Sequence, residues 1–299
     1  MARTAALGAL TLVLTSCASL GGGSAGGGEP SGDGLPGGGG DGSSADHAPG
    51  GPDDVLVRVS HQGGFVPLGW DFSTVADVTV YADGLAVVPG PTTLEYPGRL
   101  LPNLQTYRLS DEAVRAIVAA ADDAGLLGAA PEYGMPAITD VGSTLVTVGV
   151  DGTSHAHDAY ALEVARGTDG DVAGLTEEHL AAREALAGFV DAVRAALESA
   201  EEAGPYAPDA YAVMARPADP AAEVDPAPAE IPWPLAVPLA GADCVVVEGD
   251  DAAALGPVLA GARQGDRFVQ DGVAHDVWVR VLLPGDAGCT GTGSAPAGG

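Results

Sequence analysis

The sequence predicts an α+β fold with a largely antiparallel sheet, built from β-hairpins with helices interspersed. Three observations predict it. β-prone runs meet at Asp-Gly pairs at 83–84, 151–152 and 271–272, and Asp-Gly between such runs favours a tight hairpin turn. Two segments repeat apolar residues at the helical period behind a hydroxyl N-cap. No strand–helix–strand repetition of the kind that makes parallel sheets is present.

Taken in order, Val55 to Ser60 reads as a strand. Val78 to Tyr81 and Leu85 to Val88 flank Asp83-Gly84 as a hairpin. Ser110 is placed to cap a helix whose apolar face is Val114, Ile117, Val118 and Ala121, and Gly125 is placed to end it. Val146 to Val150 and Ser154 to Tyr160 form a second hairpin, in which Val-Thr-Val-x-x-Asp-Gly repeats residues 78 to 84. A longer helix follows Thr176, with Leu186, Phe189, Val190, Val193 and Leu197 on its core face. These two hairpin-then-helix stretches are expected to be two ββα units. Tyr211 to Ala215 reads as a strand, and the seven prolines of residues 217 to 238 argue against any regular element there. A C-terminal βαββ unit then follows: a strand from Cys244 to Glu248, a helix from Asp250 to Arg263 interrupted near Pro257, and a hairpin around Asp271-Gly272 returning through Val277 to Leu282.

The N-terminus has a different character. Arg3, an apolar run from Ala5 to Leu14 and then small residues make the layout of an export signal, too short to span a bilayer, which takes about 20 residues. Leu14-Thr15-Ser16-Cys17 resembles the bacterial lipobox, which implies that Cys17 receives a diacylglycerol and becomes the mature N-terminus. Ser16-Cys17-Ala18 also fits an ordinary signal peptidase, which would cut after Ala18 and discard the cysteine. Residues 21 to 53 hold 15 of the 45 glycines, a composition too poor in apolar surface to offset the entropy of ordering. The expected organisation is a signal peptide at 1–16, a lipidated cysteine and disordered tether at 17–53, and an α+β body at 54–216. A Pro-rich strap or linker at 217–238 and a C-terminal α+β unit with a flexible tail at 239–299 complete it. Over the 36 residues from Ala18 to Asp53 the tether reaches roughly 30 to 36 Å.

Beyond the signal, 11 arginines and no lysine face 41 acids, a net charge of −30. Nucleic acid and anionic membrane surfaces repel such a chain, so neither is an expected ligand. The acids are dispersed, which fits a solvated surface better than a cation cluster. Aromatic residues make up only 5% of the chain, too few for an extended stacking surface. Cys244 and Cys289, an even pair in an exported chain, are expected to form a disulfide.

Candidate chemistry is thin. Gly22-Gly23-Ser24-Ala25-Gly26 and Gly32-Asp33-Gly34-Leu35-Pro36-Gly37 match hydrolase and dinucleotide patterns but lie in the tether, away from the strand–turn–helix context both require. Asp169-Gly170-Asp171 opens like a calcium loop, yet Ala173 and Leu180 stand where an EF-hand needs oxygen donors. His155 and His157, two apart on a strand, share a face and are the candidate metal ligands, with no third ligand in view. His61 is a candidate to line a cleft with Trp70 and Tyr81. No residue pattern calls for a cofactor.

The lipobox, the acidic Gly-rich tether, the Asp-Gly hairpins and a final strand running into Leu282-Leu283-Pro284-Gly285-Asp286 together resemble exported lipoproteins of high-GC Gram-positive bacteria. That resemblance brings no activity with it. It implies a chain held at the cell membrane by its lipid, facing the extracellular side; the tether, which gives a domain freedom to search, and the lack of catalytic signatures point to an exported domain that binds a partner protein of the envelope. A small-ligand or cation-binding lipoprotein and an envelope hydrolase are the alternatives.

Overall fold

The computed structural model describes residues 50–51, 54–163, 173–221, 225–239 and 244–289. The signal, Cys17, nearly all of the tether and Asp169 to Asp171 lie outside the described residues. The fold is α+β, with two sheets and four helices among the described residues. No helix among the described residues is long and apolar enough to cross a membrane.

The first sheet has seven strands, all antiparallel. They are β1 (Val55–Gln62), β2 (Val78–Tyr81), β3 (Leu85–Pro89), β4 (Leu104–Arg108), β5 (Ser143–Val150), β6 (Thr153–Tyr160) and β7 (Glu201–Pro205), in the order β6-β5-β1-β2-β3-β4-β7. Asp151 and Gly152 both take positive φ between β5 and β6, the conformation a two-residue hairpin turn requires. Between β2 and β3 only Gly84 does, and a Cβ there would meet the Leu109 carbonyl oxygen at 2.7 Å.

Two helices cover one face of this sheet. α2 (Asp111–Asp123) begins at Ser110, whose hydroxyl accepts the Ala113 N–H at 3.2 Å. α3 (Glu177–Glu198) begins with a reciprocal cap, Thr176 accepting the His179 N–H and the His179 ring accepting the Thr176 N–H. Val114, Ile117 and Val118 of α2 and Leu186, Phe189, Val190 and Val193 of α3 are buried against Val57, Val59, Val80, Val146 and Val148. The helix faces are those the sequence predicts.

The second sheet has the order β10-β8-β12-β11-β9, from β8 (Ala210–Pro217), β9 (Glu230–Pro232), β10 (Val245–Glu248), β11 (Arg267–Gln270) and β12 (Val273–Val281). It is antiparallel except where β9 runs parallel to β11. α4 (Gly249–Gly261) packs on it through Ala252, Leu255 and Leu259. Tyr81, Val87 and Leu104 of the first sheet join the same core. Adjacent residues on a strand face opposite ways, so Val80 and Ala86 serve the helix side while Tyr81 and Val87 serve this second core. Asp46 to Gly299 accordingly form one compact unit.

Four expectations change. The first hairpin is followed by β4 before α2, so the two ββα units are not copies. The Pro-rich stretch does hold a regular element, the short edge strand β9, where proline is tolerated because one side of the strand needs no partner. Pro257 does not interrupt α4, which runs through it because three buried residues hold the helix to its sheet on both sides. β8, read as part of the body, pairs with β10 and β12 of the C-terminal unit. The remaining additions are α1 (Trp70–Ser73), β4 and β7, all short.

Candidate functional site: the cleft where the two sheets meet

A cleft of about 430 Å³ opens between β1, the segment around α1, and the turn that leaves β12. From β1 it takes Arg58, Ser60 and Gln62, which alternation puts on one face. Thr147 of β5 lies directly across from Arg58, and Thr79 of β2 on its other side. From the second sheet come Arg280 and Asp286, and from the α1 segment Asp71 and Thr74.

Arg58 Nη2 stands 2.6 Å from Asp286 Oδ1, with both side chains largely buried. The other Asp286 oxygen accepts the Leu283 N–H at 2.9 Å. Arg280 is 5% exposed; it donates to the Gly288 carbonyl, and its guanidinium lies 5.3 Å from the centre of the Phe72 ring. Burial lowers the Arg280 pKa from its ordinary value, Asp286 opposes that shift, and the charge on Arg58 adds to it. The turn bearing Asp286 is held at further points. The Tyr81 hydroxyl donates to the Pro284 carbonyl at 3.1 Å, and Cys244 and Cys289 form a disulfide with Cα atoms 5.8 Å apart. Burial raises the pKa of Tyr81 well above that of a free phenol, keeping the hydroxyl a donor.

His61 lines this cleft and a smaller one of about 210 Å³ beside it, which Trp70 also lines. Its Nδ1–H donates to the Asp77 carboxylate. That hydrogen bond is the main reason its pKa lies above 6.5, with partial burial opposing and the Asp77 and Glu163 charges assisting. The bond also fixes the tautomer, so the neutral ring keeps Nε2 as its acceptor. Tyr81, expected beside His61, instead braces the turn from the second core.

His155 and His157 do share a face, but it is the face turned to the 126–133 segment. His157 is buried. Its Nε2–H donates to the Leu126 carbonyl at 2.9 Å, and its Nδ1 accepts from the Tyr133 hydroxyl at 2.7 Å. Both ring nitrogens are therefore committed within the protein, and a metal would have to break one bond. Burial raises the Tyr133 pKa to about 12, which keeps that donor protonated. Among the described residues no three His, Cys, Asp or Glu side chains are grouped to hold a metal ion.

A larger groove, about 1070 Å³, runs between the segment from Trp70 to Asp77 and the loop from Pro89 to Leu104, with Tyr206, Tyr211 and Gly256 deeper in its wall. Exposed apolar side chains lie beside it: Trp70 in its lining, Phe65 and Leu68 just before that segment, and Leu94 and Tyr96 in the loop from Pro89 to Leu104. Phe65 is 94% and Leu94 fully exposed.

Neither family models, curated proteins nor solved structures match this chain. The residues of the cleft therefore stand on their own chemistry. No sequence motif marks Arg58, Arg280 or Asp286 as site residues, although a signal exists: each arginine is the centre of a Val-Arg-Val triplet inside an otherwise apolar strand, at 57–59 and 279–281. Arg183 lies three residues before Leu186 on the core stripe of α3. It gives its N–H groups to the carbonyls of Tyr133, Tyr160 and Ala161, the role of a structural arginine.

Proposed function

We propose that the chain is a lipid-anchored binding protein of the cell envelope, whose exported domain docks a partner protein through the large groove and the two loops that wall it. The observation that carries this reading is the set of five exposed apolar side chains on the two stretches of chain beside one groove: Trp70, which lines it, Phe65 and Leu68 just before Trp70, and Leu94 and Tyr96 in the loop from Pro89 to Leu104. Single exposed apolar residues are ordinary on any protein surface, whereas several gathered beside one groove mark interaction sites. Aromatic anchors of this kind dominate protein interfaces, and the mixed apolar and polar lining suits a groove that buries such anchors inside a polar rim. The Gly-rich tether supports the same reading, because a domain on a leash of some tens of ångströms searches the space above a membrane without leaving it.

A photo-crosslinking residue placed at Phe65 or Tyr96 of the full chain, in its own cells, tests the reading. A discrete protein adduct at both positions, missing when the same residue replaces Leu180 on α3, is the expected result. Equal labelling at all three positions, or none, rejects it.

A further inference from the structure

The cleft between β1 and the turn after β12 carries chemistry that docking through the apolar groove does not use. Arg58 and Arg280 come from different sheets, 222 residues apart in sequence, and line one cavity of about 430 Å³. Basic side chains are scarce on this chain, 12 against 41 acids, so two in one cleft stand out. Bringing them together costs desolvation of each guanidinium and repulsion between them.

Arg183 shows what a buried arginine looks like when its role is structural: its two terminal nitrogens donate to the main-chain carbonyls of Tyr133, Tyr160 and Ala161. Arg58 differs in two respects: it lines a cavity, and its acid partner is a side-chain carboxylate on a turn. A guanidinium presents a planar fork that matches carboxylate and phosphate oxygens, and Arg58 turns only part of that fork to Asp286. Neutral donors stand on the same sheet face: Ser60 and Gln62 along β1, and Thr147 across from Arg58. His61 adds a third basic group at the rim, and Asp71, whose Oδ1 accepts the Gly63 N–H at 3.2 Å, is the other acid in the wall. The volume suits a small molecule rather than a protein segment.

We infer that this cleft binds a small oxyanion, a phosphate- or carboxylate-bearing molecule, with Arg58 as its principal partner and Asp286 as the internal carboxylate that the ligand displaces. The two guanidiniums are the reason the cleft takes an anion on a chain that repels anions elsewhere. The inference does not rest on the partner-protein reading: Arg58, Arg280 and Asp286 line this cleft and not the large groove, which adjoins it at Thr74, Val75 and Val281.

Calorimetric titration of the full chain with inorganic phosphate, and separately with succinate, tests it. Saturable binding of either is expected, and which of the two binds identifies the class of ligand. Asp286→Asn removes the competing carboxylate, so affinity for the bound anion should rise at least about tenfold. Arg58→Gln should weaken it by at least about tenfold. A gain of affinity cannot come from misfolding, so the Asp286→Asn arm stands even if Arg58→Gln fails to fold. Absence of saturable binding by both anions, in the wild type and in Asp286→Asn alike, overturns the inference. So does unchanged affinity in Asp286→Asn.

Discussion

At the scale of single residues, two histidines behave in opposite ways. His61 is held by Asp77 with its pKa above 6.5, so the protonated form is favoured by folding. The stability this contributes is fully present below pH 6.5 and is lost as the pH rises through the higher folded-state value. Both side chains are about 40% exposed, so solvent screening holds the contribution to under about 1 kcal/mol. Proton NMR titration should therefore place His61 above 6.5, and Asp77→Asn should bring it down; an unchanged midpoint would disprove the pairing. His275 is the contrary case. It is buried on β12 with neither ring nitrogen hydrogen-bonded, and a buried polar group left unsatisfied costs about 1–3 kcal/mol. Replacing it by leucine, of similar size, removes that cost. We expect His275→Leu to raise the urea midpoint, by about 1 kcal/mol of stability once imperfect packing is allowed for; a lower midpoint would show that the ring makes contacts worth more than its unmet hydrogen bonds.

At the scale of elements, the turn after β12 controls the cleft. It supplies Asp286 to Arg58 and the Gly288 carbonyl to Arg280, and Cys289 closes it onto the start of β10. The disulfide spans 45 residues, and closing a loop of that length stabilises the fold by about 4 kcal/mol in the chain-entropy model. Reduction should accordingly lower the melting temperature, and alkylation without reductant should label neither Cys244 nor Cys289 in the folded protein. Because the turn carries one side of the cleft, reduction should also weaken anion binding more than an equally destabilising change in α3 does. The helices were legible from sequence down to their caps, since Ser110 and Thr176 act on N–H groups three residues away and such local contacts leave a local signature. The short elements were not. β4 and β9 are five and three residues long, and each is a strand only because a neighbouring strand offers it a partner.

At the scale of the whole molecule, the anchor is the proposal with the plainest test. Cys17→Ala should release the domain into the medium or leave the precursor uncut, and fractionation with N-terminal sequencing reads both. A wild-type N-terminus at Ser19 would rule the anchor out. The sequence by itself determined the class of fold, the three Asp-Gly hairpins, the core faces of α2 and α3, and the pairing of Cys244 with Cys289. All of these depend on residues near in sequence, or on there being only two cysteines to join. It also marked His61 as lining a cleft, with Trp70 in the adjoining one. Tertiary structure alone decided that β1 lies between β5 and β2, that β8 leaves the body to pair with β12, and that Tyr81 braces a turn 203 residues away. It alone brought Arg58 to Arg280. Strand pairing joins residues at any separation, and its energy lies in the match of whole faces rather than in any local pattern. A site built across two sheets therefore shows in the sequence only as two arginines, each set between valines where a strand has no local need of a charge.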